Sequence, residues 1–345
     1  MKLQRSNTLA AVAAVFLAAI ANPYNASAET TPLQLGLFPP YQLYPGSYDV
    51  SGLRLNIFYV DNRTVPGIDV GGYNKAGEFN GLQFAAYECD TSAADGIQLA
   101  GGFCSVESSP VRGVQIAGLG VAAASLNGLQ FTLGEALSDP VYGGQFAVYR
   151  SQCTELNGWQ SGGLRADADA VKGIQTAVFY ADAERTIDGA QLTLFAGEGE
   201  ELQGVQMGAF VAKVRTGKMS GLQASLGACF AREKLVGGFR RLPRRGVAAP
   251  TSPLERDVAR GVQFAGIVCE AENSRGVQVA GGWNRVTGRM EGMQVSVFYN
   301  RAALMNGVQF GLYNACDQLQ GFQIGLINRS HDSDLPFLPL VNARF

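Results

Sequence analysis

The sequence predicts an all-β chain made of about 18 tandem units, each close to fifteen residues long. The first observation is a Gly-apolar-Gln triplet that returns at that spacing, from Gly81-Leu82-Gln83 and Gly96-Ile97-Gln98 to Gly307-Val308-Gln309 and Gly321-Phe322-Gln323. A fixed short period marks one structural unit built many times. The second is alternation inside the unit. Val308, Phe310 and Leu312 fall on one face of an extended chain, and Gly307, Gln309 and Gly311 on the other. The third is room: about ten residues of alternation leave about five for a connection, and a helix has no place.

Residues 1–28 read as an export signal. Lys2 and Arg5 form a basic start, Leu9 to Ile20 a short apolar run, and Ala26-Ser27-Ala28 a small-residue cleavage site before Glu29. The run is too short for a spanning helix. Residues 29–345 then read as a single repeat-built β domain. In the early copies Gly52-Leu53-Arg54 and Gly67-Ile68-Asp69, Arg54 and Asp69 take the Gln position of successive units. Neighbouring strands would bring them together as a structural ion pair that fixes register. Gln83, Gln98, Gln115, Gln130, Gln175, Gln206, Gln223, Gln263, Gln278, Gln294, Gln309 and Gln323 then define a common Gln face. An apolar residue often stands two before the Gly, as Leu126, Ile187 and Met305 do. An Arg/Pro-rich stretch at about 240–260, with five Arg from Arg240 to Arg256, breaks the period and reads as a loop insert. Its Arg side chains suit anionic headgroups, and a solvated surface loop is the simpler reading. The last segment, Leu340 to Phe345, again alternates.

Two architectures fit such units: an antiparallel outer-membrane β-barrel of about 18–20 strands, and a β-solenoid with one coil per unit. The long alternation favours the barrel, because a fifteen-residue coil must bend two or three times. Tyr59, Tyr180, Trp283 and Tyr299 read as an interfacial girdle, and a final strand ending in Phe is like the last strand of outer-membrane barrels. Against it stand evenly short connections, one motif in every unit, and a nearly uncharged Gln face. The barrel is the main expectation and the solenoid the alternative. In the barrel Val308, Phe310 and Leu312 face lipid or a packed core, and Gln309 does not. Cys89 and Cys104, both ninth in their units, then lie at opposite strand ends and remain unbonded to each other; in a solenoid they stack.

The tandem Gly-Val-Gln-Ile-Gly-Leu-x-Asn pattern, clearest in Gly307 to Asn314 and Gly321 to Asn328, resembles the bacterial surface-repeat proteins of the Leptospira type. The opening, Pro32 to Pro39 and Gly52 to Asn56, and the ending from Leu335 to Phe345 are similar to that group too. The resemblance implies a cell-envelope, surface-exposed protein with no assigned activity. Many units here carry Ala or Ser at the motif's second Gly.

Composition narrows the chemistry. Without Lys2 and Arg5 the chain holds 25 basic and 29 acidic residues, which argues against nucleic acid as a partner. It has one His, His331, beside Asp332 and Asp334 in a turn-like stretch, and no nucleophile elbow, P-loop or dinucleotide fingerprint. No enzyme, cofactor or metal site is expected. Six cysteines lack Cys-x-x-Cys spacing, and buried thiols and disulfides both remain open readings. The expected function is that of a surface-repeat protein in outer-membrane lipid, a passive pore or structural barrel. The alternative is an exported solenoid for adhesion or envelope binding.

Overall fold

The computed structural model describes residues 29–231, 258–332, 335 and 337–345. The export-signal reading of 1–28 and the insert up to residue 257 lie outside them. The described end of the expected insert, Val258 to Arg260, belongs to the strand Val258–Ala265 rather than to a loop.

The expectation of an antiparallel barrel is overturned by the pairing. Successive repeats run parallel and in register, Gly96 beside Gly113 and Gln98 beside Gln115, then Gly292 beside Gly307 and Gln294 beside Gln309. An antiparallel meander would set the start of one unit against the end of the next. Each unit is instead one coil of a β-solenoid. Antiparallel pairing occurs where Thr30–Phe38 meets Tyr41–Gln42 and where Tyr313–Ser330 meets Phe337–Arg344.

The coil bends where the sequence permits it. Gly96 has φ 135°, and a Cβ there would lie 2.1 Å from the Gly81 carbonyl oxygen. Gly307 stands in the same relation to Gly292. A two-residue bend follows the Gln segment, at Gly101-Gly102 and again at Gly311-Leu312. A third break appears as register slips, between Thr91 and Ala94 and between Val286 and Arg289. The bends keep their hydrogen bonds to the coil before, Leu312 N donating to Val297 O at 3.1 Å and Tyr313 N to Phe298 O at 2.9 Å. Bonds of this kind satisfy backbone groups that the turn would otherwise leave unpaired.

The coils form two compact units, Met1–Ser161 and Gly162–Phe345. In each, the Gln face is the packed interior, and the apolar face expected to meet lipid or a packed core is the outer one. Gln309 is 0% exposed, whereas Phe310 is 53% and Leu312 45% exposed. The residues two before the Gly, such as Leu126, Ile187, Leu202 and Met305, share the parity of Gln and are buried with it. Alanines and cysteines fill the opposite wall, with Ala85, Cys89, Cys104 and Ala117 in one cluster and Ala212, Cys229, Ala265 and Cys269 in another. Small side chains are needed because the walls of so short a coil stand close together. The expected aromatic girdle does not form. Tyr59 and Tyr299 lie past the second bend and pack on the next coil's Tyr73 and Tyr313, with centroids 5.4 Å apart in both pairs.

Candidate functional site

Stacking at one β spacing puts each buried Gln within reach of the next. In the first unit Gln98 Nε2 donates to Gln83 Oε1 at 2.8 Å, Gln115 to Gln98 at 2.8 Å and Gln130 to Gln115 at 2.7 Å. Gln145 and Gln160 continue at 3.3 and 3.1 Å. In the second unit the ladder runs from Gln191, donating to Gln175, through Gln206 to Gln223. Gln263, Gln278, Gln294, Gln309 and Gln323 extend it, and Asn342 Nδ2 donates to Gln323 Oε1 at 3.0 Å. Every amide in these pairs donates to the preceding coil. A chain of aligned amides polarises itself and is costly to interrupt. A parallel row, Asn284, Asn300, Asn314 and Asn328, was missed by the Gly-apolar-Gln reading. Its sequence signal is the Asn seven residues after the Gly in Gly307 to Asn314 and Gly321 to Asn328.

At its N-terminal end the first ladder meets a buried charge. Arg54 Nε and Nη2 donate to the two Asp69 carboxylate oxygens at 2.7 and 2.6 Å, and both side chains are 0% exposed. Gln83 Nε2 donates to the same carboxylate at 2.8 Å. Arg54 Nη1 also reaches the Lys75 carbonyl at 2.6 Å. Bidentate pairing with added bonds is the geometry that offsets desolvation. The carboxylate therefore receives the donor end of the amide row, an electrostatic stop to the ladder.

The outer wall of the Gly-Gln segment presents apolar side chains. In the first unit Leu82, Ile97, Leu129 and Trp159 form one exposed row, and Phe84, Ile116 and Phe131 a second. In the second unit Ile174, Leu222, Val262 and Met293 lie beside Phe264, Phe310 and Ile324. Rings stack from coil to coil, Phe131 on Phe146 at 4.9 Å within a row and Phe195 on Phe210 at 5.1 Å at the bend that follows it. In the second unit a groove of about 830 Å³, floored by Ala265, Ala280 and Gly311, ends at Leu340 and Val341. Charges occupy the other walls as ion pairs between coils, for example Arg275 with Glu291 at 2.6 Å and Lys213 with Glu198 at 3.1 Å. Burial raises the Asp182 carboxyl above its ordinary range, with Arg215 pulling the other way.

His331 is exposed and contacts Asp317 Oδ1 at 3.0 Å. Asp332 instead accepts from Ser330 and from the Leu319 amide, while Asp334 lies outside the described residues. Among the described residues no group of three or more His, Cys, Asp or Glu side chains is placed to hold a metal ion. Arg260 sits in a strand beside Ser220 and Arg275, and the other insert arginines lie outside the described residues. All six cysteines are buried thiols; Cys316, raised mainly by burial, titrates at about 11.

Compared with protein-family models, with curated proteins and with solved structures, the chain matches none.

Proposed function

We propose that this protein is an exported β-solenoid that attaches to the lipid of the cell envelope through the apolar rows that each of its units exposes, a binding rather than a catalytic role. The observation that carries the reading is the exposure of the Leu82–Ile97–Leu129 and Phe264–Phe310–Ile324 rows. Contiguous apolar patches beyond a few hundred Å² are rare on soluble monomers and mark protein or membrane interaction. The apolar rows of the first unit include Trp159, and Tyr142 and Tyr149 are exposed in the same unit; amphipathic rings of this kind settle in the interfacial layer of a bilayer. The export-signal pattern of residues 1–28 and the likeness of the repeat to Leptospira surface-repeat proteins support an envelope setting. Since the wall carries no charge, attachment draws on buried area and responds weakly to salt.

The test is flotation with phosphatidylethanolamine/phosphatidylglycerol vesicles. The wild-type chain is expected to float at low and high salt, and the Val262→Lys/Phe310→Lys variant to stay at the bottom while keeping its β-type circular dichroism. A wild-type chain that does not float, or a Lys variant that floats equally well, refutes the reading.

A further inference from the structure

Parallel stacking has a chemical consequence in two places. Cys89 lies in register with Cys104, and Cys229 with Cys269. The members of each pair belong to one compact unit. Exposure is 0%, 1%, 0% and 0% in that order, and each thiol points inward to donate to a carbonyl: Leu99, Ile116, Phe264 and Val279. Cys316, in contrast, stacks on Ala302.

In-register neighbours in a parallel sheet have Cα atoms about 4.8 Å apart, inside the roughly 4.4–6.8 Å that a disulfide spans. Their parallel Cβ atoms must lean together by roughly an ångström from that spacing to reach the usual separation. The surroundings allow this. Ala85, Ala117 and Ala136 surround the first pair, and Ala212, Ala265 and Ala280 the second, so no bulky side chain wedges the coils apart.

We propose that Cys89–Cys104 and Cys229–Cys269 are two inter-coil disulfide sites, closed by a disulfide-class oxidant before the coils bury them. One thiolate attacks the oxidant's sulfur–sulfur bond and expels one thiol. The neighbouring thiolate then attacks the mixed disulfide and expels the second. Each site gives up two protons and two electrons, and the oxidant leaves as two reduced thiols. Timing follows from burial. In the folded chain the Cys89 thiol is pushed far up by the adjacent Cys104 thiol and then by desolvation, and Cys229 by Cys269 in the same way. The attacking thiolate is scarce there, so oxidation belongs to the open chain and the finished bond resists reduction. The second site has a further effect: it joins positions 40 residues apart across the insert, so a chain cut inside the insert stays covalently whole.

Oxidation in the cell rests on the export reading; the chemistry does not. The full chain is reduced in denaturant, refolded in a buffer of reduced and oxidised glutathione, and its folded fraction separated by gel filtration, alkylated and mapped without reduction. The expected map links Cys89 to Cys104 and Cys229 to Cys269, leaves Cys316 alkylated, and shows a mass lower by two hydrogens per bond. C104S alone should release Cys89 to the alkylating agent and leave the other link intact. Alkylation of Cys89, Cys104, Cys229 and Cys269 in the folded fraction, or their pairing with other partners, overturns the proposal. Vesicle flotation is a separate measurement, so failure of either reading leaves the other standing.

Discussion

Gln309 and its neighbour Val308 have opposite roles: Val308 lies on the outer wall, where the barrel expectation had turned it to lipid, and Gln309 lies in a packed polar interior, where the barrel would have given it a water-lined face. Gln309 donates to Gln294 and accepts from Gln323, both at 2.8 Å, inside the coil. Gln309→Leu leaves the Gln294 oxygen without its donor, while Gln323 Nε2 keeps the Arg329 carbonyl, and should destabilise by about 1–3 kcal/mol in urea unfolding. Val308→Lys, on the outer wall, should stay within about 0.5 kcal/mol of wild type in the same melt. Equal effects at both positions would contradict the facing. Asp69 is a stronger case because its loss leaves Arg54 charged and fully buried. Asp69→Ala should destabilise by about 3–5 kcal/mol, and Arg54→Met/Asp69→Leu by much less, since the double change leaves no bare charge. Asp182 provides the pH dependence. Burial sets its folded pKa above the unfolded value, so the folded chain prefers the neutral acid. Its contribution is therefore fully present below the ordinary carboxylate range and fades as pH rises through the folded value. Asp182→Asn should flatten that part of the melting temperature against pH; curves that stay parallel would show that the group does not contribute.

At the scale of one coil, the glycine of the motif decides whether stacking is possible. Gly96 combines φ 135° with a carbonyl oxygen 2.1 Å from where a Cβ would lie, and the obstacle is backbone that cannot rotate away. Gly96→Ala should therefore destabilise by more than the roughly 1 kcal/mol of an ordinary Gly→Ala strain at positive φ, because the neighbouring coil must move apart as well. A melt superimposable on wild type would mean that the coils are looser than drawn. The period, the strand character and the common parity of the Gln residues were all legible from Gly81 to Gln323. Strand direction was not, since alternation within Gly307 to Leu312 reads the same in an antiparallel strand and in the straight side of a coil. Which face is buried was illegible for a different reason. Hydropathy places Phe310 inside and Gln309 outside, and only the repetition of Gln at one coil position lets each amide satisfy the next. A single repeat carries no trace of that partnership. Position 54 with position 69 was legible because a charge at a ladder position is conspicuous against neutral neighbours, whereas the Asn that closes the longer motif, at Asn314 and Asn328, gave no sign by itself that it stacks in a buried row.

For the molecule as a whole, the insert tests whether folding is a nearest-neighbour property of coils. One strand ends at Ala231, the next described one begins at Val258, and the register between coils is intact across the interval. Gln263 Nε2 still donates to Gln223 Oε1 at 2.8 Å although the two are 40 residues apart in sequence. Repeat proteins draw their stability from each unit and its immediate neighbours, so the coils on either side hold each other without reference to what joins them. Closing a longer connection costs conformational entropy that grows only slowly with length. An ordinary coil spans the equivalent gap, from Val211–Val214 to Met219–Ser225, with the four residues Arg215 to Lys218. Replacing 232–258 by those four residues, the stretch that matches them in register, should give a protein with the same β-type circular dichroism, whose urea midpoint is equal to or slightly above that of the parent. A deletion variant that fails to fold, or that melts well below the parent, would show that the insert packs against the coils and contributes to their stability.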